Sequence, residues 1–206
     1  MKRITPIVEG HGEVMAFPKL LYRLIGEAGA DGKVTISNPI RIHRSVVNRS
    51  EVLRKSVQLA ARSSDAILIL VDSDDDCPAE KGPEIARIAQ EIAGSKPCSF
   101  VFAHREYEAW FLAAVDSLAL GTGTPTIPIA PDDPEAIRGV KEKLSKLLGI
   151  NYAPTTHQDK FSSRFDLATA HRACRSFRKL VREFGEILAR LGMPPGDWPP
   201  GSWGEG

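Results

Sequence analysis

Residues 66–71, AILILV, are apolar without a break, and the next five positions, DSDDD, hold four carboxylates. A run with no polar alternation is a strand covered on both of its faces. The chain therefore has to supply helices for two sides of a sheet, and Asp72, Asp74, Asp75 and Asp76 mark where that strand returns to water. The surrounding pattern supplies the helices. ITPIV at 4–8 reads as a first strand ending at Glu9-Gly10, and Phe17, Leu20, Leu21, Leu24 and Ile25 then recur at helical spacing as far as Gly29. KVTISNPIRIH at 33–43 alternates as a strand, with Pro39 predicting an edge or a bulge. Ser50 is placed to cap a helix whose apolar face includes Leu53 and Val57. After AILILV come a helix around 83–93, a strand CSFVFAH at 98–104, and a helix EYEAWFLAAV at 106–115.

Strand and helix in strict alternation predict an α/β fold: a Rossmann-like, mostly parallel sheet with helices on both faces. The character changes after Ala119. GTGTPTIPIAPDDP is loop chemistry, helices are expected at about 134–148, 165–174 and 176–191, and the Pro/Gly-rich ending is a tail pinned by Trp198 or Trp203. The expected organisation is an α/β domain over 1–119, a loop and helical extension over 120–192 packed on it, and a tail over 193–206.

With 42% hydrophobic residues the chain can bury a sizeable core, and a formal charge of +1 gives no global basic field that would by itself point to nucleic acid. Cys77, Cys98 and Cys174 lack both the parity of a disulfide framework and the spacing of a zinc site. No apolar stretch approaches the roughly 18 residues of a membrane span. These features predict a cytoplasmic protein with no membrane contact.

In a parallel α/β sheet ligands collect at the carboxyl ends of the strands. Glu9 closes the first strand and Asp72 the third. Two residues on, Asp74 projects to the same side if the chain stays extended, roughly 6.6 Å away. Clustered carboxylates of this kind suit Mg²⁺ or Mn²⁺. A strand end followed by Asp and Ser is also ordinary turn or capping sequence, but four acids in five positions exceed what a cap needs. Gly10 and Gly12 in VEGHGE permit a tight turn and close backbone approach to a phosphate. Glu13 reads as a first-turn acid placed against the helix dipole, and His11 as a solvated loop residue with a phosphate contact as its functional alternative. HREYEAW places Glu106 and Glu108 near the same rim. Only one of the two reaches the site easily, and Arg105 there suits a phosphate clamp. In THQDKFSSRFD the catalytic candidate is Lys160, with His157 and Arg164 beside it. Arg175, Arg178, Lys179 and Arg182 share one face of a late helix, which fits either a nucleic-acid backbone or a solvated basic surface.

IVEGHGE on a first strand, paired with ILVDSDDD on a later one, resembles the Toprim domain of primases, topoisomerases and overcoming-lysogenization-defect nucleases. More narrowly, HREYEAWFLA (104–113) and RSFRKL (175–180) resemble stretches of an uncharacterised bacterial Toprim-like family found near defence-associated ATPases. The Toprim motifs cover about the first half of the chain, and the narrower likeness covers most of it. The resemblance implies that Glu9 is the Toprim glutamate, acting as metal ligand or as base, and that Asp72 and Asp74 form its D-x-D. It makes Asp76 an additional ligand and Glu108 the ligand from the HREYEAW stretch. The implied activity is Mg²⁺-dependent phosphodiester chemistry on DNA or RNA, as a nuclease or as a phosphoryl-transfer enzyme. A P-loop is missing, because GEAGADGKV has the wrong spacing and follows a helix, so ATP hydrolysis falls to a separate ATPase subunit.

Dehalogenase-type phosphatases want D-x-D-x-[TS] near the N-terminus, whereas this cluster begins at residue 72 with Asp76 where Thr or Ser belongs. D-x-D glycosyltransferases give no reason for Glu9. The remaining rival is not an enzyme: an adaptor or sensor subunit that binds a partner protein or a nucleotide without turnover.

Overall fold

The computed structural model describes residues 1–42, 50–120 and 126–204. The first strand, β1 (Lys2–Val8), leads into α1 (His11–Glu27) and then two short strands, β2 (Val34–Ile36) and β3 (Ile40–Arg41). After α2 (Ser50–Ser63) come β4 (Ala66–Asp72), α3 (Pro78–Ala93) and β5 (Cys98–Ala103). Every pairing is parallel: β2, β1, β4 and β5 lie in that order, and β3 pairs with β1 as well. β2 and β3 flank the same edge of β1, against Lys2–Ile4 and against Ile7–Val8. The interruption between them contains Pro39, which has no N–H for a ladder. The predicted strand at 33–43 is thus an edge broken at its proline. The predicted cap at Ser50 rests on a side chain outside the described residues.

The sheet sorts its side chains by parity. Ile4, Val8, Leu68, Leu70 and Val101 point to the face covered by α1 and by the helices after residue 108, while Ile7, Ile67, Ile69, Val71 and Phe100 point to the face covered by α2 and α3. Both parities of β4 are buried from Ala66 to Val71, which accounts for its unbroken apolar sequence. The result is a three-layer, Rossmann-like α/β fold.

Beyond β5 the chain is helical: α4 (Ala109–Ala113), α5 (Val115–Ala119), α6 (Val140–Leu148), α7 (Asp159–Ser162), α8 (Leu167–Ala173) and α9 (Arg175–Arg190). The single helix expected over 106–115 is replaced by two short ones that begin later and break at Ala114 (φ −115°, ψ 33°). Residues 121–125 of the predicted loop lie outside the described residues. Trp110 is completely buried, 4.7 Å from Tyr107 and 5.1 Å from Phe177 between ring centres, and its indole N–H donates to Ser176 Oγ at 2.8 Å. The C-terminal helices are therefore built into the same core as the sheet. Both tail tryptophans are anchored, Trp203 by burial and Trp198 through its N–H to the Val181 carbonyl at 2.8 Å.

Candidate carboxylate site at the carboxyl edge of the sheet

β1 and β4 are adjacent and parallel, with Val8 level with Leu70, so Glu9 and Asp72 leave the sheet side by side. Their outgoing helices lie on opposite faces, α1 on one and α3 on the other. That makes this edge the switch point where α/β sheets open a crevice.

Four carboxylates share it. Burial raises the Asp72 carboxyl well above its ordinary range, and the negative charges of Glu13, Glu108 and Glu9 add to that, with Lys141 opposing. Burial likewise raises Glu13 and Glu108, each eased by Lys141. Asp72 Oδ1 accepts the Tyr107 N–H at 2.8 Å, which fixes the carboxylate against the turn after β5. Glu13 Oε2 accepts the N–H groups of Glu9 and Gly10 at 3.2 and 3.0 Å, so it caps the start of α1 as its sequence position predicts. It is also buried among the other acids, a second role that the capping pattern conceals.

Glu108, from the HREYEAW stretch, is almost fully buried. Its Oε1 accepts from the Tyr152 hydroxyl at 3.0 Å and from the Gln158 amide at 3.3 Å, and its Oε2 lies 3.6 Å from Lys141 Nζ. Lys141 is paired with Glu106 too. Burial works against the lysine charge, but Glu108, Glu106 and Asp72 outweigh it and hold the ammonium firmly protonated. Both glutamates of HREYEAW thus converge on one lysine, Glu108 from inside and Glu106 from the rim.

Gln158 ends a π-helical turn (Pro154–Gln158) that packs over Gly12. A Cβ on Gly12 would come within 2.0 Å of Gln158 Oε1 and 3.1 Å of Pro154 Cβ. The glycine is needed there for packing against the segment that orients Glu108. At Gly10 a Cβ would meet only the tip of the Glu13 side chain.

The other predicted residues are placed elsewhere. The chain does not stay extended after Asp72: Asp74 adopts a left-handed conformation (φ 44°) at an exposed turn, its N–H donating to the Arg105 carbonyl at 3.0 Å. The expected side-by-side projection of Asp72 and Asp74 gives way to one inward and one rim carboxylate. Asp76 pairs with Lys81 at the start of α3. Lys160 is exposed on α7, with no contact to the carboxylates among the described residues; the lysine at the site is Lys141, which nothing in its own sequence neighbourhood marks. His157 stacks on Tyr152 at 5.5 Å, and Arg164 donates to the Leu118 carbonyl at 3.1 Å. His11 is exposed at the start of α1.

Arg105, Arg175, Arg178 and Lys179 line a separate cavity of about 740 Å³ between α3 and α9, beside the end of β5. On α9, Arg182 is drawn off to Glu183 and Glu186.

Oxygen donors from three separate stretches of chain are the donor chemistry of a hard divalent cation. Among the described residues no group of three or more His, Cys, Asp or Glu side chains is placed to hold a metal ion, and no helix is long and apolar enough to cross a membrane. Residues 8–184 match the model of a family described as a domain of unknown function (DUF4276). No curated protein and no solved structure matches the chain.

Proposed function

The chain belongs to the DUF4276 family, and we propose that it is a metal-dependent phosphodiester hydrolase of the Toprim type acting on DNA or RNA. The support for this reading is that Asp72, at the switch point of a parallel sheet, feels the negative charges of Glu13, Glu108 and, more weakly, Glu9. Burying several carboxylates together is costly unless a cation neutralises them. One lysine offsets only part of that charge, and the rest is met by a retained proton, as the raised carboxyls show, or by a divalent ion that displaces it.

Glu9 and Asp72 would hold Mg²⁺ or Mn²⁺, with Asp74 left at the rim, and the bound ion would supply charge neutralisation at the scissile phosphate and a more acidic water. The protein groups act around that centre. The Tyr107 N–H keeps Asp72 in one rotamer. Tyr152 and Gln158 fix Glu108. Lys141 holds Glu106 and Glu108 in place, and its ammonium is available to an anionic substrate at the rim. The setting on this reading is the cytoplasm, in keeping with three cysteines that are all free, and ATP hydrolysis is left to a partner subunit.

An adaptor or sensor without turnover has its own support. Lys141 already serves as counter-ion to Glu108, and several carboxylate oxygens are occupied by protein donors. The two readings separate in one assay. Purified protein is incubated with single- and double-stranded DNA and RNA in Mg²⁺, in Mn²⁺ and in chelator, beside Asp72→Asn. A nuclease gives cleavage that needs metal and falls by about a hundredfold or more in the variant. If cleavage is absent throughout, or indifferent to both metal and Asp72, the hydrolase is refuted and the adaptor reading stands.

A further inference from the structure

The turn after β5 has two sides. Glu108 faces the carboxylates, whereas Arg105 faces the 740 Å³ cavity between α3 and α9. Three features of that cavity point to one class of ligand. Two of its cations are uncommitted, since Arg175 and Lys179 have no carboxylate partner among the described residues; Arg105 reaches the exposed Asp75 through one terminal nitrogen at 3.4 Å, while its Nε is buried with no hydrogen-bond partner there. Arg105 is also held in a left-handed conformation (φ 60°) by its N–H to Ser73 Oγ at 2.8 Å, and strain of this kind persists where the surroundings impose it, often at binding sites. Arg178 is the exception, turned back to the carbonyls of His171 and Arg172 at 3.0 and 2.7 Å, where it ties α8 to α9.

The acids of the lining offset part of this charge but are turned to other partners or to solvent. Glu135 is buried and spent on the start of α9, accepting from the N–H groups of Arg175 and Ser176 at 2.9 and 3.0 Å. Asp133 accepts from the Ala136 N–H at 3.1 Å. The remaining wall is apolar, formed by Pro78, Ala79, Pro83 and the Phe102 ring. The volume is that of a small-molecule site, well beyond the needs of a bare phosphate.

Cations, an apolar wall and an exposed carboxylate, Asp132, suited to sugar hydroxyls, all lining one cavity, together match a nucleotide unit. We infer that this cavity binds a single nucleoside monophosphate unit, either free or as the 5′-phosphorylated end of a strand, with Arg105, Arg175 and Lys179 on the phosphate and the Pro78–Phe102 wall against the base. The ligand shares its phosphate chemistry with the proposed hydrolase, but the site needs neither metal nor Asp72.

The test is calorimetric titration of the full chain in chelator with adenosine 5′-monophosphate, inorganic phosphate, and a dinucleotide with or without a 5′-phosphate. Expected is 1:1 binding of the monophosphate at sub-millimolar Kd. The binding should weaken at least about tenfold in Arg175→Ala/Lys179→Ala, which removes two charge-assisted contacts, and again in Ala79→Trp, which obstructs the cavity without changing charge. Asp72→Asn should bind as the parent does, which keeps failure of the hydrolase distinct from failure of this site. Competition by the 5′-phosphorylated dinucleotide identifies a strand end as the source, and its absence identifies the free nucleotide. No binding, binding untouched by both cavity variants, inorganic phosphate as tight as the nucleotide, or binding only of the unphosphorylated strand would each overturn the inference.

Discussion

Asp72 is the residue at which stability and the proposed activity oppose each other. Burial and the charges of Glu13, Glu108 and Glu9 raise its carboxyl, so the folded chain holds that proton more tightly than the unfolded chain. Such a group stabilises the fold at low pH and loses that contribution as pH climbs from the ordinary carboxylate range, near 4, through the raised value. Asp72→Asn keeps an acceptor for the Tyr107 N–H and removes the charge. The metal-free variant should therefore melt above the parent at neutral pH by about 2–4 °C, the shift for roughly 1 kcal/mol in a chain of this size, with the gap closing toward pH 4. Scanning calorimetry across that range decides it, and a variant that melts lower at pH 7 would mean the carboxylates are not crowded. Gly12→Ala acts in the other direction: the added methyl displaces Gln158 from Glu108, at about 1–3 kcal/mol of overpacking, read as a lower denaturant midpoint. Glu9 and Asp72 are legible in the sequence because strand ends announce themselves by a change from apolar to acidic residues, whereas Glu108 is singled out over Glu106 only by the family resemblance. Lys141, Tyr152 and Gln158 are not legible, because each reaches the site from a segment whose local pattern records only its own helix or turn.

At the scale of elements, periodicity succeeded where neighbours in sequence are neighbours in space. α9 was expected over 176–191 and spans Arg175–Arg190, because Phe177, Leu180, Val181 and Phe184 make a regular buried stripe. The stretch after β5 departed from expectation because its acceptors and donors are tertiary. Arg105 is left-handed, so a helix cannot run back through it, and a turn with the Tyr107 N–H held by Asp72 precedes α4 at Ala109. The joint between α8 and α9 carries a titratable group of its own. Burial lowers His171, and the Arg178 and Arg172 charges push the same way. The ring packs 5.5 Å from Trp203 and its Nδ1 has no hydrogen-bond partner among the described residues. A histidine with a lowered folded value binds its proton better when unfolded, so stability falls as pH drops below its ordinary value near 6.5. Replacing it by a neutral residue, His171→Asn, should flatten the dependence of the melting temperature on pH between about 6.5 and 5 relative to the parent. Parallel curves for the two proteins would show that the joint does not sense pH.

At the scale of the molecule, alternation of strand and helix was enough to predict a parallel sheet with two covered faces, while the sequence offered no measure of how the last third joins it. The two faces are covered unequally. α2 and α3 suffice for one, but the other combines α1 with α4 through α9, and its aromatic centre draws on both sides of residue 119: Tyr107, Trp110 and Phe111 from one, Phe161, Phe165 and Phe177 from the other. Losing a buried aromatic partner costs about 3–5 kcal/mol, and a whole domain is stable by only about 5–15 kcal/mol. A chain ending at Ala119 would lose three such partners together with Lys141, Tyr152 and Gln158, the groups that neutralise and orient Glu108. It should fail to fold cooperatively, bind an apolar dye, and show no sigmoidal melt. The 120–192 segment would then be part of the core that positions the carboxylates and not an appendage to a finished α/β domain. A cooperative melt of the 1–119 chain would restore the appendage view and, with it, an edge of the sheet able to hold Glu9 and Asp72 without the C-terminal helices.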